Sequence, residues 1–515
     1  MANTGHIQLE LFVGKEKEGL YFELPFEVPE GVERIDIRYG YERRRSSFTD
    51  GQAKTEEINV IDLALSSNTG EFIGSSGSNR DHVQISEYCS SDGYARVRTL
   101  AGTWNIIVGA YKVHKAGVKV TYNVTFTYKE RRLLKGDCHI HTTGSDGVLT
   151  VEEAAGLAKA GGLDFLFITD HNNYSHNSRL ISDDGLTLIP GVEWTHFNGH
   201  ANMLGVERPF KGKYYANSLE EVRERLDEAR RSGALVSVNH PFDAGCPWKW
   251  GLDNGNFDCV EIWNGVMKSS DMQCISWWHG ELCKGRRLPI IGGSDFHRFS
   301  NFSAPGMPAT CVYSMSRGPA DILEAIRQGH SFVAFQPDAP AADIRCARTA
   351  GSDATQSSAV ACPDGAPAAY AYGGELKRLA AGVPLNGGSG LNGSAGLPGG
   401  PGPTDTYSFP DGSGPTGTCS FPGGPGLTGG FMGDEIPFAP GLIVQFDFSS
   451  LKKGDLVKIH SAAGIEREIT ARHAGDMSFG IPAEGKRFYR AEVYRRLLPD
   501  LPPMLCLITN PIYFR

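Results

Sequence analysis

The sequence predicts an α/β chain in three parts: a small N-terminal β-sandwich, a core of alternating strands and helices, and a β-rich C-terminal element. Three observations carry this prediction. Short strands with Gly-rich turns and few helical patterns fill the chain up to about Tyr128. Apolar runs of strand length then alternate with helical segments from Leu134, and period-two alternation returns after Phe431.

The first part, residues 1–130, holds the strand-like segments Leu20–Leu24, Glu33–Tyr39, Trp104–Val108 and Val118–Tyr128. The last alternates apolar or aromatic residues with polar ones, as a half-buried strand does. Several such strands in one segment read as a β-sandwich. In the second part, residues 131–340, apolar runs fall at Phe165–Thr169, Leu186–Val192, Ala201–Val206, Leu235–Val238, Cys259–Trp263 and Leu288–Ile291. A helix over Ser218–Arg231 opens with Ser218 and Glu221 at capping-box spacing. Strand and helix in alternation imply a parallel sheet, open or closed into a barrel.

Residues 341–382 read as the start of the C-terminal element and a linker. Residues 383–430 carry a twelve-residue tandem repeat, from VPLNGGSGLNGS to CSFPGGPGLTGG. So much Gly and Pro buries too little apolar surface to offset the entropy of ordering, and the repeat reads as a disordered insertion. Its glycines fall partly in a three-residue phase, but Asp405-Thr406-Tyr407 lacks one, so a collagen triple helix is not expected. Residues 431–515 complete the β-rich element, with alternation at Leu442–Phe448, Leu456–His460 and Tyr489–Tyr494.

Composition narrows the function classes. A net charge of −9 and a pI near 5.9 give no global basic field for nucleic acid. No apolar run is long enough for a membrane span, and no secretory signal pattern stands at the N-terminus. Eleven cysteines without C-x-x-C spacing suit reduced thiols, so a cytoplasmic location is expected. Oligomeric state is not legible.

Nine potential metal ligands lie in the strand–helix core: His139, His141, Asp146, His171, Glu193, His200, His240, Asp295 and His297. His139 and His141 end one strand-like run and share a face, because strand side chains repeat every two residues. His171, Glu193, His240, Asp295 and His297 each close or follow another run, whereas His200 precedes its own. Ligands at the C-terminal ends of parallel strands converge on one mouth. Imidazole with carboxylate suits Zn, Mn or Fe, and nine ligands exceed the needs of one ion, so two or three divalent ions are implied. Adjacent ions can share a hydroxide and polarise an electrophile. Asp170 is either an acceptor that orients His171 or a cap on the following turn. Arg298 is a candidate to meet an anionic substrate, and Asn239, Trp194 and Asn264 are candidates for the pocket wall. His176 and His196 lie near the ligands in sequence and read as surface residues, with pocket lining as the alternative, and the other histidines, such as His279 and His460, read as structural.

The motifs Asp137-Cys138-His139-Ile140-His141-Thr142 with Ser145-Asp146-Gly147, Ile168-Thr169-Asp170-His171, Pro190-Gly191-Val192-Glu193, Gly199-His200-Ala201-Asn202, Asn239-His240-Pro241 and Gly293-Ser294-Asp295-Phe296-His297 resemble the polymerase and histidinol phosphatase (PHP) family of metal-dependent hydrolases. The resemblance covers roughly Leu134 to Ala334, and the flanking β segments are similar to the branch that includes carbamate-ester hydrolases. It implies a distorted, TIM-like (β/α)7 barrel with a trinuclear centre. By that pattern His139, His141, Glu193 and Asp295 bind one ion, and Glu193 bridges to a second held by His200 and His240. Asp146, His171 and His297 bind the third, and Glu193, Asp295 and His139 hold the reactive metal-bound hydroxide. The expected function is hydrolysis of a small phosphate ester. The alternative is a carboxylic or carbamate ester cut by the same centre, and a non-enzymatic metal-binding module ranks last. Loops Phe210–Asn217 and Phe242–Gly255, the latter with Trp248 and Trp250, are expected to shape the substrate pocket.

Overall fold

The structure is a computed structural model that describes residues 3–49, 52–253, 257–300, 303–348, 429–497 and 502–515. Most of the linker and repeat, residues 349–428, lies outside the described residues. Among the described residues no helix is long and apolar enough to cross a membrane.

The N-terminal part is two four-stranded antiparallel sheets face to face. One contains Thr4–Val13, Val32–Tyr41, His82–Ser86 and Val118–Tyr128, the other Tyr21–Val28, Val60–Ser66, Phe72–Ser76 and Gly102–Lys112. Val118–Tyr128 buries every second residue, and Val120, Tyr122, Val124 and Phe126 join Trp104, Ile106 and Val108 of the facing sheet in one core. This period-two burial is what a sandwich requires.

The core that follows runs β1 (Arg132–Asp137), α1 (Val151–Ala160), β2 (Phe165–Ile168), β3 (Thr187–His196), β4 (Gly199–Leu204), α2 (Leu219–Arg231), β5 (Leu235–Val238), β6 (Cys259–Asn264), α3 (Ser269–Cys283), β7 (Ile290–Gly293), β8 (Ala309–Ser314), α4 (Pro319–Gln328) and β9 (Ser331–Ala334). β2, β5, β6 and β7 are buried throughout, so both faces are covered. Thr150 and Glu153 form a complete capping box on α1. On α2 only half of the expected box forms. Ser218 accepts from the Glu221 amide, but the Glu221 carboxylate takes the Asn217 amide instead.

Strands β7 to β1 are neighbours in reverse chain order, and β8 and β9 continue past β1. Their directions are mixed: β1, β2 and β3 are parallel, β4 is antiparallel to β3 and to β5, and β5, β6 and β7 are parallel again. The reason is local. Only Phe197 and Asn198 separate β3 from β4, a hairpin length that excludes the crossover a parallel pair needs. A closed (β/α)7 barrel is not shown among the described residues. Among the described residues four α-helices accompany the strands, and no continuous ladder closes β7 onto β1. The two ends meet just above those strands, where Ile140 and Phe296 form one parallel bridge. There the His141 amide donates to the Phe296 carbonyl at 3.0 Å, and the Asp295 amide to the His139 carbonyl at 2.9 Å. Lower down, the Thr310 hydroxyl of β8 accepts from Gly292 N and donates to Gly292 O, bridging the seam.

The C-terminal strands are no separate appendage. Met504–Thr509 pairs antiparallel with β9, so the core sheet runs on through Phe488–Arg495, Leu456–Ser461 and Gly464–Thr470. Ala341–Arg348 pairs with Leu442–Leu451 over its whole length, bringing together the two sides of the undescribed segment.

Candidate metal centre

The bridge that joins the two ends of the core also fixes the first ligands. His139 and His141 lie just beyond β1, on either side of Ile140, and Asp295 and His297 flank Phe296 in the partner segment. Backbone pairing therefore sets two pairs of ligands against each other. Gly293 permits this approach, since a Cβ there would collide with the Cβ of His139. β3 supplies Glu193, the segment after β2 supplies His171, and the residue after Asn239 at the end of β5 supplies His240. His200 is no exception after all: β4 runs antiparallel, so its first residues lie at the same edge as the last residues of β3.

The nine residues converge. Donor atoms gather in four overlapping groups: His139, His141 and Glu193; His139, His240 and Asp295; His141, Asp146, His171 and His297; and His200, His240 and Cys246. The Nε2 atoms of His139 and His141 are 3.1 Å apart, and Asp295 Oδ1 is 3.3 Å from the first and 3.0 Å from the second. Glu193 Oε1 lies 3.1 Å from His200 Nδ1 and 3.3 Å from His240 Nε2, and Glu193 Oε2 lies 2.8 Å from His171 Nδ1. Asp146 Oδ1 is 3.3 Å from His297 Nε2 and 3.6 Å from His171 Nε2. The resemblance implied three ligand sets, the first two sharing Glu193. Here His141 also belongs to two groups, one with His139 and Glu193 and one with Asp146, His171 and His297.

These residues fit divalent cations. A tetrahedral ion with bonds of about 2.0–2.1 Å sets its ligands about 3.3 Å apart, close to the separations above. Glu193 Oε2 and Asp295 Oδ1 are buried and make no well-aligned hydrogen bond, although imidazole nitrogens of His171 and His141 face them, and a cation among these atoms would offset the cost of burying the carboxylates. Strain marks the same places. His240, Asp295 and Asn172 adopt φ of 29°, 50° and 46°, left-handed values that non-glycine residues rarely hold without compensation.

Electrostatics couples the cluster. Burial disfavours the charged form of His139, but Asp295, Glu193 and Glu261 outweigh it and raise its pKa well above the ordinary value. Burial likewise opposes ionisation of Glu193, yet His139, His171 and His200 hold its pKa well below the usual carboxylate range. For His141 burial prevails, and its pKa falls. Imidazole must be deprotonated to ligate a metal ion, so ion binding at this cluster would be coupled to proton release.

The supporting shell differs from expectation in two places. Asp170 accepts from the Thr142 amide and hydroxyl, both at 2.6 Å, and from Ser145 Oγ at 2.7 Å, so it organises the His141–Asp146 turn. The ring of His171 is held by Thr195 Oγ1 at 2.6 Å and by Glu193. Glu261 on β6, not singled out in the sequence, is fully buried and accepts from His139 Nδ1 at 2.9 Å and from the His240 amide at 3.0 Å. Its signal was a lone carboxylate inside Cys259-Val260-Glu261-Ile262-Trp263. Asn239 donates to Glu193 Oε1 at 2.9 Å, and Asn264 donates to Glu261 at 3.2 Å and Asp295 at 3.3 Å. Arg298 is exposed beside His297. Trp194 is buried and stacks on His196, whose ring also meets Trp250. His176 is half-buried and stands 3.4 Å from Asp170.

No protein-family model matches the chain. A 5'-3' exoribonuclease, Rnm, of Escherichia coli (strain K12) is 32% identical over 127 residues, spanning 21% of this chain and 43% of the relative's length. Among solved structures, an amidohydrolase from Chromobacterium violaceum with bound sulfate aligns at 18% identity and a TM-score of 0.23, covering 33% of this chain and 89% of that one. A two-domain protein from Bacteroides vulgatus, described as containing a predicted PHP-like metal-dependent phosphoesterase, aligns at 15% identity and a TM-score of 0.34. That alignment covers 74% of this chain and 96% of the other.

Proposed function

We propose that the chain is a metal-dependent hydrolase of the PHP type that cleaves a small phosphate ester. The convergence of nine imidazole and carboxylate ligands into overlapping groups carries the reading. Two or three ions, when bound, would supply an activated water and positive charge for the developing oxyanion at neutral pH.

The chain's own residues do the rest. Glu193 provides buried and Asp295 partly exposed negative charge, and His200, His240 and Asn239 hold Glu193 from one side while His171 holds it from the other. Glu261 fixes His139. Burial of His139, His141 and Glu193 closes the floor of the site to bulk water, whereas the side chain of Asp146 is 57% exposed and those of His297 and Asp295 are about a quarter exposed. Substrate therefore approaches from the Asp146–His297 side, where the oxygens of a phosphate would meet a cation cluster rather than bare carboxylates. The name of the Escherichia coli relative, an exoribonuclease, supports phosphorus as the electrophile. The acidic chain supports a small substrate over an extended nucleic acid.

Turnover of nitrophenyl phosphate and of nitrophenyl acetate, with Mn or Zn added, tests the proposal. Phosphate release that is lost in His139→Ala is the expected outcome. Acetate cleavage without phosphate cleavage would assign the centre to carbon esters instead.

A further inference from the structure

Metal-binding histidines ordinarily give their second ring N–H to a carboxylate, a backbone carbonyl or water, and that partner fixes the tautomer and the ring plane. His139 has Glu261 in this role and His171 has Thr195. For His240 the neighbour is unusual. Its Nε2 faces Glu193 Oε1 at 3.3 Å, while its Nδ1 faces the sulfur of Cys246 at 3.5 Å. Cys246 in turn lies 3.8 Å from Asp243 Oδ1, and Asp243 Oδ2 receives the Lys268 ammonium at 3.0 Å.

The loop that carries the thiol is built to place it. The Asp243 amide donates to the His240 carbonyl at 2.9 Å, the Gly245 amide to Asp243 Oδ1 at 2.9 Å, and the Trp248 amide to the Pro241 carbonyl at 2.9 Å. These bonds fold residues 240–248 into a tight turn that returns Cys246 to the histidine six residues before it. His240 holds a left-handed φ of 29° at the start of this turn. A left-handed φ at a non-glycine residue persists only where the surroundings fix it, as the bonds of this turn do.

We propose that Cys246 is the positioning residue of His240. The sulfur accepts from Nδ1–H, which leaves the Nε2 lone pair free toward Glu193 and a bound cation, and the S–H points to Asp243. The assignment deepens the metal-hydrolase reading and rests on it. It also makes the cation position at His200 and His240 the one that responds to chemistry at a thiol.

Metal titration of the full-length chain with a competing chelator tests this without any substrate. Cys246→Ala, and Cys246→Val (which fills the volume without either hydrogen-bonding function), are expected to weaken one cation equivalent by about 10- to 100-fold. The remaining equivalents should bind as in the wild type. Cys246→Ser restores binding, because a hydroxyl accepts from Nδ1–H and donates to Asp243. Wild-type titration curves for Ala and Val would overturn the assignment alone. A sulfur-to-cobalt charge-transfer band in the Co(II)-loaded chain, absent from Cys246→Ser, would also overturn it, by making sulfur a ligand. A wild-type chain that takes up no cation would overturn the metal-hydrolase reading itself, and this assignment with it.

Discussion

At the scale of single residues, the centre depends on carboxylates that never need to touch a substrate. Glu261 accepts from His139 Nδ1, the His240 amide and Asn264, so one buried side chain orients ligands from two strand ends. Glu261→Gln keeps the shape but turns an acceptor into an amide NH2 facing other donors, and it removes the charge that helps to keep His139 basic. Metal affinity is expected to fall about 10- to 100-fold with little change in the far-ultraviolet circular dichroism. Equal affinity in the variant would show that His139 needs no such partner. The nine candidate ligands were legible as residues because most of them recurred at run ends, Asp146 and His200 excepted. Glu261 was not, because one charged residue inside an apolar strand resembles an ordinary buried polar group until its partners are known.

At the scale of elements, the ligands come together because two short segments, Cys138–His141 and Ser294–His297, pair through one bridge. Gly293 is the hinge of that approach. Gly293→Ala would drive β7 away from His139, with an expected loss of about 1–3 kcal/mol of stability, read as a lower urea midpoint, and a loss of metal binding. Gly156→Ala provides the opposite case: it lies inside α1 with open space around its missing Cβ, and is expected to gain about 1 kcal/mol. A Gly293→Ala midpoint equal to the wild type would refute the close-approach account. Strand positions such as Phe165–Ile168 and Leu235–Val238 were readable from apolar runs, but strand direction was not. The two-residue hairpin between β3 and β4 reverses one strand, and that reversal places His200 beside Glu193 although it precedes its apolar run. Periodicity records which residues are buried and does not record which way a strand runs.

At the scale of the molecule, the chain joins a β-sandwich, a mixed sheet and a C-terminal group of strands into connected structure. Arg132 of β1 meets Glu33 of the sandwich, and the Arg317 amide donates to the same carboxylate at 3.0 Å. Glu87 of the sandwich accepts from the Ala320 amide at 3.2 Å, supplying an acceptor at the start of α4 where Gly318 has no capping side chain. On the other side, β9 hands the sheet on to Met504–Thr509. None of these long-range pairings was visible in sequence, because each links residues far apart through single contacts. The twelve-residue repeat lies almost wholly outside the described residues, yet the strands that border it, Ala341–Arg348 and Leu442–Leu451, pair directly.

The central claim is that these elements exist to hold several cations at one mouth, and metal content per chain tests it most directly. The chain is stripped with chelator, reloaded with Mn or Zn, desalted and analysed by plasma mass spectrometry. The account predicts two or three equivalents in the wild type, with at least one lost in His139→Ala, since His139 belongs to two of the donor groups. A wild-type chain that retains no metal, or a His139→Ala chain that retains as much as the wild type, would contradict it.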